Sequence, residues 1–110
     1  MSGRTFILAM NHLLADEAWA RSTLEPHAGR VIEMRLGTLD PFELRITPEG
    51  MLETAPPDAT PALTVGLECP PWNPTLMGQR LADQGAFEGD PQLANALRAV
   101  FRDLRWDPEH

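Results

Sequence analysis

The chain has 110 residues, 43% of them hydrophobic, which suits one globular domain and leaves no room for a second core. Its formal charge of −7 argues against a nucleic-acid footprint and against simple electrostatic docking on anionic lipid; every Lys/Arg-type side chain is arginine. The single Cys69 closes no internal disulfide, no secretory leader is visible and no apolar run is long enough to span a bilayer, so a soluble protein in a reducing, cytoplasmic setting is expected.

Residues from about 5 to 20 read as one amphipathic helix. Phe6, Met10, Leu13, Leu14 and Trp19 recur at near-helical spacing, while Asp16, Glu17 and Arg21 form a polar side. Ser22 is placed to cap a further short turn before Pro26 and Gly29. From Arg30 the period drops to two: Ile32, Met34 and Leu36 alternate with Glu33 and Arg35. After a turn at Gly37 to Pro41, Phe42, Leu44 and Ile46 alternate with Glu43, Arg45 and Thr47. Pro48-Glu49-Gly50 supplies turn chemistry, and Met51 to Thr54 returns as a third strand, completing an antiparallel meander.

The proline-rich stretch from Ala55 to Pro61 is an irregular connection, and Leu63, Val65 and Leu67 mark a fourth strand that Pro70-Pro71 ends. The sheet therefore spans about 30–67. Asn73-Pro74 and Asp90-Pro91 each join an N-cap residue to proline at the first helical position, predicting helices over about 74–83 and 91–105. Between them Gly85 to Gly89 holds a short edge strand at 86–88. The last helix presents Leu93, Leu97, Val100, Phe101 and Leu104 on one face, and Pro108 stops it. This order predicts one α+β domain over 1–110: a mainly antiparallel five-stranded sheet with helices packed on one face.

Catalytic chemistry finds little support. Ser2 and Ser22 sit in no nucleophile elbow, His12, His27 and His110 are scattered, and one cysteine completes no zinc cluster. No catalytic residue, metal or cofactor is expected. Glu43, Glu53 and Glu88 are turned by strand alternation away from the apolar face, and Cys69 has no cation beside it in sequence to activate a thiolate. Met10, Met34, Met51 and Met77 fit either core filling or an adaptable pocket lining. Trp72 and Trp106, both near prolines, fit either packing anchors or the rim of a cavity.

The segment Leu81-Ala82-Asp83-Gln84-Gly85-Ala86-Phe87-Glu88-Gly89-Asp90-Pro91, leading into Leu93, Leu97, Val100, Phe101 and Leu104, resembles the signature of sterol carrier protein-2 domains. In that family a short strand ending in Gly-Asp or Gly-Asn opens the final helix beneath a lipid tunnel. The preceding meander and helix fall in the family's order, so the resemblance covers nearly the whole chain. Within the family the chain is most similar to the N-terminal domain of the UbiJ-type accessory factors of ubiquinone biosynthesis. Ile7 to Ala20, with Leu13-Leu14, resembles their opening helix, and Leu104-Arg105-Trp106-Asp107-Pro108-Glu109 their ending.

The resemblance implies a non-catalytic bacterial accessory factor, cytoplasmic or peripheral to the inner membrane. It would hold a ubiquinone intermediate, polyprenyl or fatty-acyl lipid and act as a scaffold for ubiquinone biosynthesis enzymes. It points to Phe42, Leu44, Leu63, Val65, Phe87, Leu97 and Phe101 as the ligand lining. Family members continue past the Asp-Pro into a helical tail through which they meet a small coiled-coil accessory protein. This chain stops at His110, as a trimmed chain or a short relative, so that partner is implied only if the tail is not required. A protein-interaction module with a filled core, and a homodimer through the N-terminal helix, remain open alternatives.

Overall fold

Alternation of apolar and charged residues turns Ile32, Met34 and Leu36 to one face of a strand and Glu33 and Arg35 to the other, and this strand forms the middle of the sheet. The computed structural model describes residues 3–70 and 74–104. In chain order the elements are helices α1 (Gly3–Ala15) and α2 (Ala18–Leu24), a 3-10 turn (Glu25–His27), strands β1 (Val31–Leu36), β2 (Phe42–Ile46), β3 (Leu52–Thr54) and β4 (Leu63–Leu67), helix α3 (Pro74–Gln84), strand β5 (Ala86–Gly89) and helix α4 (Pro91–Asp103).

The sheet order is β3-β2-β1-β4-β5. The meander β1-β2-β3 and the β4-β5 pair are antiparallel; only β1 and β4 run parallel. The chain after β3 thus passes from one edge of the meander to the far side of β1. Helix α1 lies against β2 and β3, α3 against β4 and α4 against β5, while α2 packs against both α1 and α4. Their inward residues, among them Phe6, Met10, Leu14, Leu24, Met77, Leu81, Leu93, Leu97, Val100 and Phe101, join the apolar face of the sheet in a single core. The result is α+β, with a mostly antiparallel sheet.

The single N-terminal helix expected over 5–20 is instead two helices, and Trp19 belongs to the second and is exposed. Neither glycine nor proline marks the break. Arg21 on α2 reaches back to donate from Nη1 to the carbonyl oxygens of Leu14 (2.6 Å) and Ala15 (2.7 Å), which end α1 without intrahelical partners. Ser22 lies inside α2 and caps nothing. Helix α4 ends at Asp103, short of the expected 105, with Leu104 already extended at ψ 139°; Arg105 and the stop at Pro108 lie outside the described residues. So do Pro71, Trp72, the Asn73 cap, Trp106 and the Asp107-Pro108 ending.

Two local features hold the helices to the sheet. Asn11 on α1 turns its amide onto the edge strand β3: Nδ2 donates to the Leu52 carbonyl oxygen (2.7 Å) and the Leu52 N–H donates to Oδ1 (2.8 Å). The side chain thereby takes the place a neighbouring strand's peptide would occupy. At the other side, the Asp90 N-cap accepts from the N–H groups of Gln92 (2.9 Å) and Leu93 (3.4 Å), and Arg30 just before β1 approaches its second oxygen at 2.7 Å.

Candidate ligand-binding site

The strand register arranges the apolar face into cross-strand rows. One row runs Thr54, Leu44, Ile32, Leu63, Gly89 across all five strands, and the next runs Phe42, Met34, Val65, Phe87. All five strand residues expected to line a ligand site fall in these two neighbouring rows. Leu97 and Phe101, one helical turn apart on α4, belong to the same core layer. Leu44, Leu63, Val65, Leu97 and Phe101 are buried, whereas Phe42 and Phe87 are half-buried against the core.

The second row ends in an aromatic residue at each side. Phe42 packs on Phe6 of α1, with ring centroids 5.6 Å apart, and Phe87 packs on Phe101 of α4 at 6.4 Å. Both pairs are tilted, the arrangement that ring quadrupoles favour. With strands about 4.8 Å apart, the two ends of a four-strand row are roughly 14 Å from one another. Between them stand only aliphatic side chains, and among the described residues no polar or charged residue is buried. Met10, Met34 and Met77 are buried in this core and Met51 is half-buried on it. Met34 and Val65, in the middle of the row, are buried, and only the two end rings, Phe42 and Phe87, keep partial contact with solvent.

The opposite face of the sheet is charged. Arg45 pairs with Glu53 across β2 and β3 (2.7 Å), and Arg35 with Glu33 along β1 (2.8 Å); hydrogen bonding to Glu33, then its charge, raises the pKa of Arg35 further. Glu43 faces Glu33 across the ladder, and its Oε2 is shielded from solvent with no hydrogen-bond partner among the described residues, so this carboxylate is less fully solvated than alternation alone suggests. A cleft of about 600 Å³ opens at the C-terminal ends of β1 and β4, lined by Arg35, Gly37, Gly66, Leu67, Glu68, Cys69, Gln84 and Ala86. None of the seven expected lining residues borders it. His12 and His27 stand far apart in sequence on α1 and the 3-10 turn, His110 lies outside the described residues, and those residues hold no cluster of metal-ligating side chains. Among them, too, no helix is long and apolar enough to cross a membrane.

No protein-family model matches the chain, and no curated protein matches it. Among solved structures it is similar to one described as "UbiJ-SCP2 Ubiquinone synthesis protein", with a TM-score of 0.67 at 13% sequence identity, covering 96% of this chain and 92% of that one. At that identity the likeness establishes the fold: a sterol carrier protein-2-like domain, related in structure to the UbiJ type.

Proposed function

We propose that the domain binds a ubiquinone intermediate or a polyprenyl or fatty-acyl lipid between its sheet and its helices, and that it serves ubiquinone biosynthesis as a non-catalytic accessory and scaffold. The observation that carries the reading is the apolar row Phe42, Met34, Val65, Phe87, each end of which is a half-buried ring packed on a buried one, Phe6 or Phe101, with Leu97 and Phe101 of α4 in the same core layer. The fold it shares with a protein of ubiquinone synthesis supplies the ligand class. Among the described residues the side chains buried in this layer are all apolar, which suits holding such a molecule.

The test is to extract the purified protein with organic solvent and analyse the extract by mass spectrometry. A prenylated aromatic, polyprenyl lipid or fatty acid at one equivalent per chain supports the reading. A clean extract, together with no uptake of an added short-chain quinone, overturns it. A second reading, an interaction module with a filled core, is favoured by the exposed Leu8, Trp19 and Leu76. Stable self-association without any bound apolar molecule is the outcome that would select it.

A further inference from the structure

The chain carries 16 Asp and Glu against 9 arginines, and most arginines that are half withdrawn from solvent spend their donors within the fold. Arg30 is held by Asp90, Arg45 by Glu53, and Arg21 by the last carbonyls of α1. Arg98, also half-buried, is the exception among the described residues. Its guanidinium carbon stands 4.5 Å from the centroid of the Phe87 ring, and no carboxylate or carbonyl of the described residues accepts from it. A guanidinium held over a ring face gains the cation–π attraction while its in-plane N–H groups stay available, in the fork that suits a carboxylate or phosphate.

Its position gives those donors a use. Phe87 ends the apolar row at the β5 edge and packs on Phe101, so Arg98 stands where the layer between sheet and α4 meets solvent. A molecule lying along the row would present its polar end to this guanidinium. We propose that Arg98 anchors the acidic head group, carboxylate or phosphate, of an amphiphile whose apolar body occupies the layer. This rests on the ligand-binding reading above and narrows it, from apolar molecules in general to lipids that carry an acid.

The test uses the full chain and three probes with one tail, dodecanoate, dodecyl phosphate and dodecanol, titrated calorimetrically below the micelle concentrations of the acids and the solubility limit of the alcohol. The wild-type protein binds at least one acid about tenfold or more tightly than the alcohol, the loss expected for one charge-assisted hydrogen bond. Preference for dodecanoate or for dodecyl phosphate identifies the head group. Arg98→Gln brings the acids down to the alcohol and leaves the alcohol's affinity and the thermal midpoint unchanged, while Arg98→Lys retains part of the preference. Wild-type protein binding alcohol and acids equally, or Arg98→Gln weakening all three alike, overturns the anchor and leaves the ligand layer standing. Failure to bind any of the three overturns the layer and the anchor with it.

Discussion

At the residue scale, a few side chains do work that their type alone does not announce. Gly50 in the β2–β3 turn has φ +79°, and a Cβ there would collide with the carbonyl oxygen of Arg21 in α2. Both the backbone conformation and the close approach demand glycine. Gly50→Ala should therefore lower unfolding stability by about 2 kcal/mol or more in urea denaturation, a large share of a small domain's total. Asp90 is the second case. Partial desolvation pushes its pKa upward, but the hydrogen bond from Arg30, the N–H groups of Gln92 and Leu93 and the charge of Arg30 outweigh it, so the folded value lies below the ordinary one. The unfolded state then binds more protons in the window between the two values. The stabilisation is complete above the unfolded value of about 3.9 and is lost as pH falls through the folded one. Asp90→Asn keeps an N-cap acceptor but not the charge. Its thermal midpoint should lie below wild type at neutral pH, and the gap should close in acid.

At the scale of elements, β1, β2 and β4 are readable from the sequence because alternation runs through each: Ile32, Met34 and Leu36, then Phe42, Leu44 and Ile46, then Leu63, Val65 and Leu67 all face inward. The α1–α2 break is not, because Asp16 and Glu17 are ordinary helix residues and the partner that stabilises the break, Arg21, comes later in the chain and acts through space. Local propensity is a weak prior that tertiary contact overrides. Arg21→Ala should leave the last carbonyls of α1 without these donors, so amide exchange in the last turn of α1 should quicken while α4 stays protected. The same distinction governs the candidate site. Period-two patterning identifies which face Phe42, Leu44, Leu63, Val65 and Phe87 occupy, but only the register shows that they form two adjacent rows. Register depends on which strand pairs with which, and the parallel neighbour of β1 follows eight residues of connection after β3 that carry no directional signal.

For the molecule as a whole, the helices sit on one face of the sheet and leave the other charged, which puts the apolar material in one layer and makes that layer the place where any apolar guest must compete with the core's own packing. The two margins of the sheet are unlike. At β3, three residues long, the Asn11 amide already answers both backbone groups of Leu52. A free strand margin is a template on which another chain can polymerise, and proteins commonly blunt it with charge, proline or a bulge. Here a neutral amide on a helix does so, and its neutrality matters because a carboxylate in its place has no proton to offer the Leu52 carbonyl. Loss of that one amide nitrogen, by Asn11→Asp or by slow deamidation in storage, should make aged protein scatter light on refolding faster than fresh protein of equal concentration. Equal scattering would place the guard elsewhere. The shelf life of this domain in a monodisperse state is thus set in part by the chemistry of a single side-chain nitrogen.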